Sequence, residues 1–118
     1  MKKNDFVEYV VEDLLAGLDG ARAKAMFGGY GLYAGDKMFG IIVDDVLYFK
    51  TDGRNRPDYE KEGSQPFSYR VKGRSKPVIM SYWEVPARIM DDREEAVSWA
   101  RAACRANSSA KRKKLQRK

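Results

Sequence analysis

Apolar residues recur at Phe6, Val7, Val10, Val11, Leu14, Leu15 and Leu18, the i, i+3, i+4, i+7 spacing of an amphipathic helix. Asp5 with Glu8 fits a capping box, and Gly20 stands where such a helix stops. The period then falls to two. Ala23–Phe27, Gly31–Tyr33, Met38–Val43 and Val46–Lys50 read as strands, with Gly35-Asp36 and Asp44-Asp45 as turns. A short helix is predicted over Pro57–Glu62, with Pro57 in its first turn and Gly63 past its end. Phe67–Val71 and Val78–Tyr82 form a second hairpin around residues 72–76, and one helical turn fits after Pro86. The last helix starts at Asp92, with Glu95 completing another capping box. It turns Val97, Ala100, Ala103 and Cys104 inward and closes at Asn107-Ser108-Ser109. The order α-β(4)-α-β(2)-α predicts an α+β fold of two layers, an antiparallel sheet packed with helices.

The central hairpin can be read in more detail. With Asp44-Asp45 as a two-residue turn, Val43 faces Val46, Ile42 faces Leu47, Ile41 faces Tyr48 and Gly40 faces Phe49. One sheet face then carries Phe39, Ile41, Val43, Val46 and Tyr48. The other carries Met38, Ile42, Leu47 and Phe49, with Phe49 covering the gap at Gly40. Both faces are apolar, whereas a half-exposed strand alternates apolar with polar. Helices cover one. The other is left for a further helix of the same chain, the plainer expectation, or for a protein partner, a second copy included.

Charge narrows the partners. The chain has 118 residues and a formal net charge of +6. Six of its 23 basic residues lie in the run 111–118, and without that run 17 basic residues face 17 acidic ones. The excess charge therefore belongs to the end of the chain. We read residues 1–106 as one domain and 107–118 as a disordered basic tail. Lys111, Arg112, Lys113 and Lys114 are candidate phosphate contacts. So are Arg70, Lys72, Arg74 and Lys76 of the second hairpin, helped by Arg54 and Arg56. Arg70 and Lys72 should project from one strand face, with Phe67 and Tyr69 on the core side. A charged, solvated sheet edge is the plainer reading of that hairpin. Tyr82-Trp83 offers a stacking surface for bases, with at least one of the pair expected in the core.

Candidate chemistry is sparse. Gly29-Tyr30-Gly31-Leu32-Tyr33-Ala34 formally satisfies G-x-G-x-x-G/A, but the pattern runs into a turn and another strand, not into the helix a pyrophosphate needs. Glycines 28, 29 and 31 are better explained by a bulge, a bend or close backbone approach. The chain has no histidine, and its single cysteine, Cys104, falls on the apolar side of a helix as a structural thiol. Asp44-Asp45 and Asp91-Asp92 sit where a turn or a cap needs a carboxylate. We therefore expect no enzyme, no metal and no cofactor. No apolar run approaches the roughly 20 residues of a membrane helix. Glu8, Glu12 and Asp13 interrupt the N-terminal apolar stretch, so a signal peptide is not expected and a cytoplasmic location is.

MFGGYGLY, MFGIIVDDVLYFK, NRPDYEKEG, PFSY and KPVIMSYWEVP, in this order from about Phe6 to Ala106, resemble the N-terminal domain of the TfoX (Sxy) family. The resemblance implies a two-layer α+β domain of a bacterial cytoplasmic regulator linked to competence. It also implies a non-enzymatic transcription cofactor whose protein partner is a cyclic-AMP receptor-type transcription factor. It supplies no catalytic residues. The full-length regulators carry a C-terminal domain where this chain has a short basic segment, so a stand-alone copy of the N-terminal domain is the expectation. Met26, Gly28, Gly29, Tyr30, Tyr33, Phe39, Tyr48 and Phe49 are the candidate partner surface, in a regulatory or protein-interaction domain that can also be a homodimer. The alternative is a nucleic-acid-binding protein using the basic tail and the 70–76 hairpin. A small-ligand site near the glycines ranks last.

Overall fold

In the computed structural model, which describes residues 5–26, 28–69 and 78–116, six strands form one antiparallel sheet. They are β1 (Ala21–Met26), β2 (Gly29–Ala34), β3 (Lys37–Val43), β4 (Val46–Lys50), β5 (Pro66–Tyr69) and β6 (Val78–Glu84), in the spatial order β1-β2-β3-β4-β6-β5. The helices are α1 (Asp5–Tyr9), continued by a π-helical turn over Val10–Leu14, then α2 (Arg56–Lys61) and α3 (Arg93–Gln116), with a 3-10 turn at Ala87–Asp91. The fold is α+β, in the expected element order.

The β3–β4 hairpin pairs as the turn residues predict, from Val43↔Val46 to Gly40↔Phe49. Asp44 and Asp45 have φ of 52° and 60°, the left-handed pair of a type I′ turn, whose twist suits a two-residue hairpin. Aspartate tolerates that region better than most residues.

The faces of β3 differ from the expectation at one point. Between Leu32 and Tyr33 the partner on β3 jumps from Gly40 to Met38, so Phe39 is the extra residue of a bulge. Phe39 therefore turns to the same side as Gly40. It is fully buried, 5.8 Å from the Phe49 ring, while Met38 joins Ile41 on the opposite face.

The helices all pack on one side. Val10, Leu14 and Leu15, Tyr59 of α2, Ile89 of the 3-10 turn, and Ala96, Ala100 and Ala103 of α3 form one core with Leu32, Phe39, Ile42, Leu47 and Phe49. Tyr59 lies between Trp83 and Trp99, with ring centroids 6.4 and 4.7 Å away. Burial pushes its phenol far up, and its hydroxyl has no hydrogen-bond partner among the described residues. Among the described residues the sheet is thus not sandwiched between helices. No described element covers its second face.

Capping and turn chemistry fix the ends. The Glu95 N–H donates to Asp92 Oδ1 at 3.1 Å, the expected cap of α3. The Glu95 carboxylate, however, pairs with Arg88 at 2.9 Å. Gly63 leaves α2 with φ of 76°. Asn55 does not cap α2 through its side chain. Its Oδ1 accepts the Asp52 N–H and its Nδ2 donates to the Lys50 carbonyl, tying down the end of β4. The backbone of α3 continues through Asn107-Ser108-Ser109 to Gln116, past the expected stop and along the stretch assigned to a tail. Alanine, lysine, arginine and leucine after Ser109 favour helix, and neither glycine nor proline interrupts them.

Candidate functional site

The uncovered sheet face is built from alternate residues along the strands. Arg22, Lys24 and Met26 of β1 pair with Tyr33, Gly31 and Gly29 of β2, and Gly31 pairs in turn with Ile41. Ile41 pairs with Tyr48, and Tyr48 with Glu84. One row across the sheet therefore reads Lys24, Gly31, Ile41, Tyr48, Glu84.

Gly31 shapes the middle of this face. A Cβ there would stand 2.9 Å from the Sδ atoms of both Met26 and Met38, and 3.2 Å from the Tyr33 ring. The missing side chain lets three flexible or planar groups close over the backbone. Ile41 is consequently only 7% exposed although no helix lies on it, while Met26 is 46% exposed. Gly29 permits close approach in the same way, because a Cβ there would collide with the Ile42 carbonyl oxygen. The glycine pattern lies within strand β2, so no helix terminus faces it.

Cations sit over aromatic rings toward the β2–β3 turn. The Arg22 guanidinium lies 5.0 Å from the Tyr33 centroid, and its Nη2 donates to the Gly35 carbonyl at 2.8 Å. Lys50 Nζ lies 5.2 Å from the Tyr82 centroid and donates to Ser81 Oγ at 2.8 Å. Burial holds the Lys50 ammonium below its ordinary pKa. Burial first, then the neighbouring Tyr33, pushes the Tyr82 phenol up. The other end is acidic. The Tyr48 phenol is raised by burial, then by the charges of Glu84 and Asp44. Its ring meets Phe67 edge-on at 5.1 Å.

Several expected site residues gather here and others do not. Met26, Gly29, Tyr33 and Tyr48 lie on the open face, and Gly28 stands at its margin with φ of 78°. Tyr30 packs against the core instead. Phe39 and Phe49 are fully buried beneath the sheet and offer no partner surface, Phe39 because of the bulge and Phe49 because it fills the space above Gly40. Phe67 is a further correction: its contact with Tyr48 places it on the open face and not on the core side. Trp83 is the core member of the Tyr82-Trp83 pair, and Tyr82 is 7% exposed on the open side. Sequence reasoning passed over Arg22, Lys24 and Lys50, whose alternation with Ala23, Ala25 and Phe49 was the available signal.

Arg70, Lys72, Arg74 and Lys76 lie outside the described residues. Lys111, Arg112, Lys113 and Lys114 continue the α3 backbone. Arg54 is engaged by Asp52 at 3.0 Å and by the Arg105 carbonyl at 3.1 Å. Cys104 is half buried against the core, its thiol pushed up by burial although Arg105 and Lys37 pull the other way. Among the described residues no group of three or more His, Cys, Asp or Glu side chains is placed to hold a metal ion. None of the described helices is long and apolar enough to cross a membrane. A cleft of about 310 Å³ is lined by Glu62, Ser64, Gln65 and Arg88, and one of about 190 Å³ by Asn55, Tyr59, Trp99 and Arg105. Neither is lined by Gly29 or Gly31.

No curated protein matches the chain. The family model for the TfoX N-terminal domain matches residues 13–107, and the chain belongs to that family.

Proposed function

We propose that this chain is a non-enzymatic regulatory domain that works by protein contact through its open sheet face. The observation that carries the reading is the burial pattern. Helices cover one apolar face of the sheet, while Met26, Tyr33, Tyr48 and Phe67 line another that no described element covers. Contiguous apolar surface of this kind marks interaction sites on soluble domains. Family membership supports a regulatory role, and the partner class we propose is a transcription factor of the cyclic-AMP receptor type.

The test is retention of such a purified factor by the immobilised chain, beside a Met26→Lys variant. Met26 is exposed, so the substitution leaves the core intact. We expect the wild type to retain the factor and the variant to lose it. Equal retention by both, or by neither, overturns the proposal.

A further inference from the structure

We propose that the occupant of the open sheet face is a second copy of this chain, joined face to face in a twofold homodimer. The proposal rests on the reading of that face as a contact surface and names what covers it. The two occupants exclude each other: the transcription factor meets this face on the free chain, and pairing of two copies withholds it.

Arg22 stands on β1 at the corner of the face nearest the β2–β3 turn, with Lys24 beyond it on the same edge in the row of Glu84, and Lys50 lies along the end of the sheet that Arg22 occupies. Asp44 at the β3–β4 turn and Glu84 on β6 stand toward the opposite corner, close enough to act together on Tyr48. Such a face is polarised across its diagonal. A twofold axis lying in the face, at right angles to that diagonal, sets each cationic corner on the acidic corner of the other copy. An isologous contact needs this self-complementarity, since whatever one copy presents the other presents as well. The same operation crosses the two sets of strands at a steep angle, one of the two common ways in which sheets pack.

The centre of the face suits the same partner. Met26 and Met38 meet over Gly31, and the twofold brings this pair onto the Ile41–Tyr48 region of the other copy. Methionine side chains adapt their shape to the surface they meet. Size also fits. Six strands about 4.8 Å apart, paired over roughly 17 Å, project about 500 Å² per copy. Two copies would bury about 1,000 Å², the lower bound for a specific interface. A nucleic-acid strand fits less well, because the negative charges of Asp44 and Glu84 act at Tyr48, a ring that stacking on this face would use.

The experiment uses the full chain in sedimentation equilibrium, with two charge-swapped variants. Arg22→Glu/Lys24→Glu makes the face acidic at both corners. Asp44→Asn/Glu84→Lys makes it basic, and asparagine keeps the left-handed turn position. Circular dichroism confirms that each variant is folded. We expect the wild type, 13.5 kDa per chain, to sediment at twice that mass. Each variant alone should dimerise at least about tenfold more weakly, and an equimolar mixture of the two should recover the wild-type affinity. A monomeric wild type overturns the proposal. So does a dimer that neither double substitution weakens, or a mixture that recovers nothing. A monomer that still retains the transcription factor through Met26 leaves the proposed function standing. A dimer that retains no such factor leaves only the homodimer.

Discussion

Single glycines set how closely the strands of this sheet approach, and two of them do so in different ways. At Gly40 a Cβ would stand 2.8 Å from the Tyr48 carbonyl oxygen and 3.1 Å from the Phe49 ring. The backbone oxygen belongs to the partner strand and cannot give way without shifting the β3–β4 pairing. We predict that Gly40→Ala costs about 1–3 kcal/mol, the usual range for overpacking. Gly53→Ala is the control, since a Cβ there meets nothing within 4 Å and the backbone is not left-handed. Urea denaturation of the two variants reads the difference. An unchanged midpoint for Gly40→Ala would show that β3 and β4 can slide apart cheaply. At Gly31 the nearest atoms are instead the ends of flexible methionines, so an added methyl would rearrange the open face and spare the core.

At the scale of elements, the segment between β4 and α2 is held by polar groups. Asp52 Oδ1 accepts the Arg54 N–H at 2.9 Å, and Oδ2 receives the Arg54 guanidinium at 3.0 Å. Burial alone would raise the Asp52 carboxyl, but hydrogen bonds from the Arg54 side chain and backbone, with its charge, hold it below the ordinary value of 3.8. The folded pKa is therefore the lower one. Its stabilisation is present above pH 3.8 and is lost as pH falls through the folded value. We expect thermal stability to fall on acidification below about pH 4, and Asp52→Ala to lower stability at pH 6 by about 1 kcal/mol while flattening that acid limb. Melting curves from pH 6 to 2 would decide it, and parallel acid limbs in the two proteins would remove Asp52 from the account. How far the elements are legible in the sequence follows from what fixes each one. The β3–β4 register is legible because Asp44-Asp45 is a short turn between apolar runs, and the α3 start because Asp92 and Glu95 stand three apart. The bulge at Phe39 is not. No glycine or proline marks it at 38 or 39, and the extra residue is placed by burial of the Phe39 ring against Phe49. That one-residue shift moves Phe39 out of the candidate site and Met38 into it. Met26, Tyr33 and Tyr48 were legible as apolar residues of strands, whereas Arg22, Lys24 and Lys50 look like solvated charges until the topology sets them on one face.

For the molecule as a whole, packing and charge are separated along the chain. Ala106 of α3 is fully buried, and the excess positive charge begins at Lys111. Residues 1–106 are formally neutral, with 17 charges of each sign. We predict that a chain ending at Ala106, which keeps the buried Ala96, Ala100, Ala103 and Ala106, holds its folding free energy within about 0.5 kcal/mol. Self-association should survive too, because Arg22, Lys24, Asp44 and Glu84 all lie within the retained part. What the truncation should remove is affinity for duplex DNA. In the complete chain that affinity should fall linearly with salt on logarithmic axes, with a slope near 0.9 for each phosphate neutralised and so at most about 5 for six basic residues. Titrating one labelled duplex across a salt series, with and without residues 107–118, measures the slope directly. DNA affinity that persists unchanged in the truncated chain would place the phosphate contacts within residues 1–106 instead, with Arg70, Lys72, Arg74 and Lys76 the first candidates. Loss of affinity with stability and self-association intact would assign DNA attraction to the end of α3 and protein contact to the sheet.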